Sequence, residues 1–553
     1  MRRSVAALSA CFVLAPLVVG LAGCGMGGMR FPDAASASGS SPRGGNQPGY
    51  AEAMPSVPPS PQQPSMGSMP AQPGQPPATT LAQTATRAAE PEGTEHFQDH
   101  GVNPVVEPSR DRFSTFAIDV DTASYTISRR KLVEGTLPPF ASVRVEEYVN
   151  YFRYGYAAPA QKPFAVTTDA APWPFTPGHH LLRVGLQGRK VQATERTPVH
   201  LVYLVDTSGS MSGTDRMDLA KKSLRTLTDK LKAGDTVAIC TYAGGVEKIL
   251  DPTSIDHKDR ILAALDRLRA GGSTAMGDGL ALAYDLAKKT LVRNHVNRIV
   301  VLSDGDANVG RTSQDELKKI VRGHRGEGIT LSTVGFGSGN YKDAVMEQLA
   351  DSGDGNYTYI DSEEQSRRFF GEQVDGLLQA IARAVQIQVE LDPSVVTTYR
   401  HFGYDNRDIA DRDFRNDKVD AGEVGSGHTV TAMYDVVLKR TDASPVTVRV
   451  RHKTPHGIER ADESVFPMPT ANLASTFEGA SADFRFATAV VGLAEVLRKS
   501  PHATEWRLDK IAKIANDASL GRSERVELVG LVNRAAELSG QKKAEGTGLG
   551  VAH

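Results

Sequence analysis

The middle of the chain alternates short apolar runs with segments of helical spacing. The apolar runs lie at residues 200–205, 236–242, 298–302, 329–336 and 357–360. Between the first two, Met217, Ala220 and Leu224 begin a series of apolar residues at intervals of three and four. Such intervals place apolar residues on one side of a helix, whereas short apolar runs are typical of buried strands. The alternation predicts a doubly wound, mostly parallel α/β sheet over residues 198–384, with helices on both faces.

On both sides of this segment apolar and polar residues alternate, which is a hydrophobic period of two residues. Strand-like alternation is found at residues 164–188, 385–391, 429–438 and 446–450. It is typical of antiparallel strands with one buried face. We predict that residues 161–197 and 385–470 form one β-sandwich-like region into which the α/β domain is inserted. Because the strands of 164–188 and 385–391 adjoin the two ends of the insertion, we expect them to pair in a single sheet.

The outer parts of the folded chain show mainly helical patterns. An N-terminal flanking region, residues 96–160, has a short strand followed by two helical segments. Residues 475–541 form a C-terminal unit with three helical patterns, which end at Gly540. Glycine is common just after a helix because it adopts the left-handed conformation without strain. We expect the last residues, 542–553, to be disordered.

The start of the chain has the features of an export signal, residues 1–23. Two arginines precede a mostly apolar stretch that is shorter than the ~20 residues needed to cross a bilayer. The Leu-Ala-Gly-Cys sequence at residues 21–24 resembles the lipobox of bacterial lipoproteins. The resemblance implies cleavage after residue 23 and lipidation of Cys24, in the manner of a palmitate-bearing lipoprotein. An ordinary signal peptide with an incidental cysteine is the alternative.

Residues 24–95 are rich in Pro, Ser, Gly and Gln. This composition cannot bury enough apolar surface to offset chain entropy, so we predict a disordered tether between the lipidated cysteine and the folded part. The expected location is the cell envelope, with a lipid anchor in the membrane. Gly25 stands where Gram-negative lipoproteins retained in the inner membrane have Asp, which favours the outer membrane.

Charge and cysteine content narrow the class of protein. The net charge is −2, and the sequence has no extended basic face for nucleic acid. Of three cysteines, Cys11 lies in the signal and Cys24 is the lipidation site, so only Cys240 remains. No internal disulfide framework is therefore expected. Cys240 lies in a strand-like run and is predicted to be a small buried core residue.

Three short motifs lie at strand ends or in a loop before a helix. They are Asp-x-Ser-x-Ser at residues 206–210, Gly-Gly-Ser-Thr at 271–274 and Ser-Asp-Gly at 303–305. Ligands of open α/β sheets gather at the carboxyl ends of strands, where Asp206 and Asp304 lie. Carboxylate and hydroxyl oxygens suit a hard cation such as Mg²⁺. The candidate metal ligands are Asp206, Ser208, Ser210, Thr274 and Asp304.

Together these motifs resemble the metal-ion-dependent adhesion site (MIDAS) of von Willebrand factor type A domains. The resemblance implies a binding module and not an enzyme, with Mg²⁺ (or Mn²⁺ or Ca²⁺) as the bound ion. It implies that the ion attracts an Asp or Glu carboxylate of a protein partner. It also implies direct coordination by Ser208 and Ser210, whereas Thr274 and Asp304 exchange between direct and water-mediated contact.

The resemblance extends beyond the type A domain. Residues 116–125, 146–152 and 420–428 are similar to a bacterial lipoprotein family in which characteristic N-terminal and C-terminal regions flank the type A domain. The similarity runs from about residue 103 to residue 541. It implies this domain arrangement, and it leaves the partner and the biological process open.

The sequence is open to three other interpretations. In a degenerate domain, Asp206 and Asp304 would only cap strand ends without binding metal. A metal-assisted hydrolase of the envelope would use the same ion, but the sequence identifies neither a general base nor a pocket beside it. Asp119 and Asp121 follow an apolar strand, as in haloacid-dehalogenase-type phosphatases. Helix capping and strand termination explain that pair better.

Overall fold

The computed structural model describes most of the chain after residue 96. The described residues are 97–118, 121–159, 161–192, 194–273, 276–305, 313–337, 343–419, 421–455 and 460–541. The predicted signal peptide, the tether with Cys24, and the predicted tail lie outside them, as do Asp119 and Thr274.

The described residues contain strands in three sheets. The strands are β1 (Phe113–Ala117), β2 (Phe164–Pro172), β3 (His180–Gly188), β4 (Val199–Asp206), β5 (Thr236–Tyr242), β6 (Val246–Ser254), β7 (Val296–Ser303), β8 (Ile329–Phe336), β9 (Tyr357–Ile360), β10 (Ala380–Leu391), β11 (Val396–Phe402), β12 (Val424–Gly425), β13 (Thr429–Leu438), β14 (Val446–Lys453) and β15 (Asp462–Pro467).

Helices connect these strands and form the C-terminal part. They are α1 (Ala123–Val133), α2 (Val145–Tyr151), α3 (Met217–Asp229), α4 (Lys258–Arg267), α5 (Met276–Lys289), α6 (Gln314–Arg325), α7 (Asp343–Ser352), α8 (Glu363–Ser366), α9 (Val374–Leu378), α10 (Ala482–Leu497), α11 (Leu508–Asp517) and α12 (Ser523–Leu538). A π-helical turn, Arg367–Glu372, follows α8.

The central domain is a six-stranded sheet in the order β6-β5-β4-β7-β8-β9. All neighbours are parallel except β5 and β6. The helices α3 and α4 cover one face, and α5, α6 and α7 cover the other. Because both faces are covered, β4 is buried along its whole length, as its apolar sequence predicts. The predicted doubly wound sheet is confirmed, and it gains an antiparallel edge strand, β6, which the apolar pattern did not indicate.

Two antiparallel sheets form the β-sandwich. One has the order β11-β13-β3-β2, and the other has the order β1-β10-β14-β15, with β12 attached to β10. Apolar side chains from both sheets share one core, which includes Leu182 and Val184 of β3 and Val385 and Ile387 of β10. The first strand, β1, comes from the N-terminal flanking region and pairs with β10.

The predicted pairing of residues 164–188 with residues 385–391 is wrong. The strand β3 hydrogen-bonds to β2 and β13, whereas β10 hydrogen-bonds to β1 and β14, so the two segments lie in separate sheets. Alternating hydrophobicity shows which face of a strand is buried, and facing strands of a sandwich bury that face into the same core. The pattern therefore does not distinguish a strand that pairs in the same sheet from a strand that packs in the facing sheet.

The α/β domain is nevertheless an insertion in the sandwich. Its first and last connections meet at Thr197 and Gln379. The Thr197 N–H donates to Gln379 Oε1 at 3.3 Å, and Gln379 Nε2 donates to the Thr197 carbonyl at 3.1 Å. The insertion therefore begins and ends at one place, which leaves the sandwich segments on either side free to pack together.

The C-terminal helices form a separate core with the flanking region. Buried side chains of α10, α11 and α12 pack with Tyr125 of α1, and with Tyr148 and Tyr151 of α2. The other face of α1 contributes Ala123 and Ile127 to the core of the α/β domain. The helix α1 thus lies between two domains and is part of both cores.

Cys240 is a free thiol that is fully buried in β5, and burial raises its pKa to about 12. The prediction that it is a core residue is confirmed.

None of the helices in the described ranges has the length and apolar character that a membrane span requires.

Candidate functional site

The site lies where the strand order of the central sheet reverses. From β4 the chain proceeds to β5 on one side, and after β6 it crosses to β7 on the other side of β4. At such a switch point the loops after the two strands diverge and leave a crevice, in which ligands of open α/β sheets bind. Asp206 ends β4, and Asp304 follows the last residue of β7. The predicted pair of carboxylates is therefore brought together.

Asp206 is held by the loop that follows it. Its Oδ1 accepts the Ser208 N–H at 2.8 Å, and its Oδ2 accepts the Ser303 hydroxyl at 2.9 Å. The side chain is fully buried, so these bonds offset the cost of burying a charged group. The same turn brings the hydroxyls of Ser208 and Ser210 to 3.0 Å from each other. Three of the predicted ligands thus form one compact group.

The glycine-rich loop is attached to this group through its backbone. Gly209 N–H donates to the Gly272 carbonyl at 3.0 Å, and Gly271 N–H donates to the Thr207 carbonyl at 2.7 Å. Gly272 has a φ of +99°, a conformation that L side chains rarely adopt. The loop that carries Thr274 therefore lies against the Asp-x-Ser-x-Ser turn, although Thr274 itself is outside the described residues.

Asp304 is nearly buried and has a cationic neighbour. The Arg216 Nη1 lies 3.8 Å from Asp304 Oδ2 and donates a hydrogen bond of 2.5 Å to the Ser210 carbonyl. Arg216 immediately precedes α3 and stands on the rim of the site. Sequence reasoning missed this residue, because no motif links it to Asp304.

Burial has the largest effect on the electrostatics of Asp206. It raises the pKa of Asp206, an effect that the hydrogen bonds from Ser208 and Ser303 oppose and that the charge of Asp304 increases. The pKa of Tyr242, at the end of the neighbouring β5, lies well above its usual value because of burial and the nearby Asp206. The site therefore has an excess of buried negative potential that a cation would relieve.

The residues present fit a hard divalent cation. Within the described ranges, no cluster of three or more His, Cys, Asp and Glu side chains has metal-binding geometry, so a metal here requires hydroxyl ligands. Adjacent oxygens around an octahedral Mg²⁺, each about 2.1 Å from the ion, lie about 3 Å apart. The Ser208 and Ser210 hydroxyls have this separation, 3.0 Å. Asp206, Ser208, Ser210 and Asp304 would hold the ion.

Asp121 and Ser303 have structural roles. Asp121 accepts the Tyr357 N–H at 2.9 Å and is buried, so it fixes the start of β9 to the flanking region. Ser303, which belongs to the Ser-Asp-Gly motif but not to the predicted ligands, orients Asp206 through its hydroxyl. The sequence does carry a signal for this contact. Ser303 and Asp206 lie at the ends of the predicted strands that carry the two motifs, and residues that end adjacent parallel strands lie side by side.

A doubly wound domain with these two loops at its switch point is a von Willebrand factor type A domain. The sequence model of the family described as "von Willebrand factor type A domain" matches residues 201–307, and the model described as "von Willebrand factor" matches residues 91–183. A third, "Uncharacterized protein YfbK, C-terminal", matches residues 376–447 and 439–538.

The chain belongs to the family of a bacterial type A domain protein from Escherichia coli (strain K12), "Uncharacterized protein YfbK". The two are 36% identical over 488 residues, which cover 82% of this chain and 84% of that protein. A more distant relative is the human "Inter-alpha-trypsin inhibitor heavy chain H3", 24% identical over 263 residues, 44% of this chain and 29% of that protein.

Among solved structures, "von Willebrand factor type A from Catenulispora acidiphila" is similar with a TM-score of 0.41 and 16% identity, over 66% of this chain and 89% of that one. The sequence matches support a role in protein interaction or adhesion, which is the coarse function that the type A domain implies.

Proposed function

We propose that the protein is a lipid-anchored envelope lipoprotein whose type A domain binds a divalent cation, and through it a carboxylate of a protein partner. The observation that carries the proposal is the convergence of Asp206, Ser208, Ser210 and Asp304 at the switch point of the sheet. Mg²⁺ is the expected ion, and Mn²⁺ or Ca²⁺ are alternatives with the same oxygen preference.

The charge of the ligand set explains why the partner group is anionic. Two carboxylates formally balance a divalent ion, and Arg216 lies 3.8 Å from one of them, so the site with its ion and this guanidinium keeps a net positive charge. Asp206 and Ser208 are buried, whereas Ser210 is partly exposed and Gly209 is exposed, so the group is open to solvent on one side only. An Asp or Glu side chain that arrives from this side gains a charge-assisted contact with the ion in a partly dehydrated position.

A binding role also fits the neighbours of the acidic pair. A hydrolase requires a group that accepts a proton near neutral pH beside the metal. Around the pair, the described part of the chain offers the Ser303 hydroxyl, Arg216, and Tyr242 with its raised pKa. None of these is a general base at neutral pH. We therefore propose that the domain binds and does not hydrolyse.

Capture of the partner tests the proposal. Purified protein is crosslinked to envelope extract with Mg²⁺ or with EDTA, alongside Asp206→Ala and Asp229→Ala. Asp229 is a matched control because it lies on the same domain in an exposed ion pair with Lys258. We expect one set of partners that requires both Mg²⁺ and Asp206 and is unchanged in Asp229→Ala. Capture that is equal in EDTA would contradict metal-dependent binding.

The anchor at Cys24 is tested separately. Metabolic labelling with a fatty-acid analogue should tag the wild-type protein and leave Cys24→Ala unlabelled, because Cys24 is the residue of the lipobox pattern. Cys11 and Cys240 remain in that variant and serve as internal controls. Equal labelling of both proteins would refute the lipoprotein assignment.

A further inference from the structure

Arg216 lies at the rim of the proposed metal site, beside two of its ligand residues. Its Nη1 bridges the Ser210 carbonyl, at 2.5 Å, and Asp304 Oδ2, at 3.8 Å. Ser210 and Asp304 are two of the four described residues that would hold the ion. The guanidinium therefore approaches the same acidic group that a divalent cation needs.

The fold provides space for this arginine. Gly337 follows β8 with a φ of +75°, and a Cβ at this position would lie 2.3 Å from Arg216 Nε and 2.6 Å from its Cγ. A side chain at residue 337 would force the arginine away from the strand ends. The absence of a Cβ at Gly337 is thus what allows Arg216 to lie across the site.

The backbone at Gly337 is itself held in place by two side chains, one of which comes from outside the α/β domain. Its carbonyl accepts a hydrogen bond from Arg130 Nη1 of α1 at 2.8 Å, and another from the Tyr359 hydroxyl of β9. The Arg216 side chain is 23% exposed, and that of Asp304 is 4% exposed. Arg216 therefore packs on a fixed backbone and is not a freely moving surface side chain.

We propose that Arg216 is a resident counter-cation that competes with the divalent ion at Asp304 and so sets the metal affinity of the site. This inference rests on the proposed function, since it assumes that the group binds metal. The guanidinium stabilises the acidic pair when no ion is bound, and it opposes the ion by like-charge repulsion. The protein then takes up metal, and becomes competent for its partner, only above a concentration that Arg216 determines.

The expected effect follows from the size of one charge interaction. The interaction of two unit charges about 4 Å apart changes the affinity for an ion about fivefold even in a water-like dielectric, and by more in a partly buried site. Arg216→Gln should therefore bind Mg²⁺ at least about fivefold more tightly than the wild type. Arg216→Met keeps the apolar stem without the charge and should behave in the same way, whereas Arg216→Lys keeps the charge and should stay close to the wild type.

The test is calorimetric titration of full-length protein with MgCl₂. Arg225→Gln is the matched control, because Arg225 lies on α3 and pairs with exposed Asp266 away from the site. A second measurement is the melting temperature in EDTA, which Arg216→Gln should lower because the acidic pair loses its counter-charge. Tighter Mg²⁺ binding together with a lower melting temperature in EDTA is the signature of competition.

The outcomes separate this inference from the proposed function. Mg²⁺ binding by the wild type with equal or weaker binding by both neutral variants would overturn the role of Arg216 and leave the metal site standing. Binding by the neutral variants alone would support the role of Arg216 as the group that excludes the ion from the wild type. Absence of binding in all variants would overturn both.

Discussion

At the metal site, Asp206 and Ser208 differ in what their removal takes away. Asp206 supplies a charge and orients both the Ser208 backbone and the Ser303 hydroxyl, whereas Ser208 supplies one neutral oxygen. A ligand present at 100 times its Kd stabilises the folded state by about 2.7 kcal/mol. We expect Asp206→Ala to abolish this Mg²⁺-dependent gain, and Ser208→Ala to reduce it, because water replaces a lost neutral ligand. Urea unfolding with and without Mg²⁺ measures both, and a full gain in Asp206→Ala would contradict the assignment.

His401 provides a pH dependence that is independent of the metal. Its ring stacks on Tyr434, with centroids 4.3 Å apart, in the sandwich interior. Burial, together with the charge of Arg400, lowers its pKa from 6.5 to about 3. A depressed pKa gives stability that is complete above pH 6.5 and is lost as the pH falls toward 3, because the unfolded chain binds the proton first.

We therefore expect His401→Phe, which keeps an aromatic ring, to flatten the loss of stability between pH 6 and pH 4. The slope from this group approaches about 1.4 kcal/mol per pH unit. Urea unfolding across that range gives the slope, with exposed His257→Gln as the control. An unchanged slope in His401→Phe would show that the ring titrates normally in the folded protein.

Single site residues can be predicted from the sequence when they belong to a short local motif. Asp206, Ser208, Ser210 and Asp304 belong to short motifs at strand ends, so the sequence alone indicated them. Arg216 could not be found in this way, because its approach to Asp304 depends on the missing side chain at Gly337, far along the chain. Contacts of that kind exist only after the sheet has assembled.

At the scale of elements, strand type was easier to predict than strand partner. The bounds of β5, β8 and β9 agree with the apolar runs, because a strand covered on both faces is apolar throughout. The partner of β10 was not predictable, because β1 and β14 lie far from it in sequence and only the folded sandwich brings them alongside.

One arginine of α1 adds polar contacts to two domains. Arg129 forms a bidentate pair with Asp361, just after β9, and also contacts the Tyr151 hydroxyl at 2.8 Å and Glu527 of α12 at 3.4 Å. Its side chain is 10% exposed, and that of Asp361 is 11% exposed. Removing one partner of such a pair leaves an uncompensated charge, which costs about 3–5 kcal/mol.

We expect Arg129→Ala to destabilise the protein by this order of magnitude in chemical unfolding. The control is Arg440→Ala, because Arg440 pairs with Asp442 on the surface, where solvent screening leaves such a pair little net stabilisation. Similar small losses for both variants would mean that α1 is held by its apolar contacts alone.

At the scale of the whole molecule, three of the four buried cores are joined through the N-terminal flanking region. Phe116 of β1 belongs to the sandwich core, Ile127 of α1 to the α/β core, and Tyr125 of α1 to the helical core. Loss of any one core therefore removes packing from the next. We expect a single cooperative transition in scanning calorimetry. Two well-separated transitions would show that the insertion unfolds independently.

Binding of a divalent cation at the switch point is the central claim, and titration calorimetry of the full-length protein with MgCl₂ tests it most directly. We predict one ion bound per wild-type chain, no binding by Asp206→Ala, and unchanged binding by Asp229→Ala. Because Arg216 opposes the ion, the titration is repeated with Arg216→Gln, in which binding should be tighter. Absence of binding in both the wild type and Arg216→Gln would contradict the account and leave Asp206 and Asp304 as structural residues of a domain without metal.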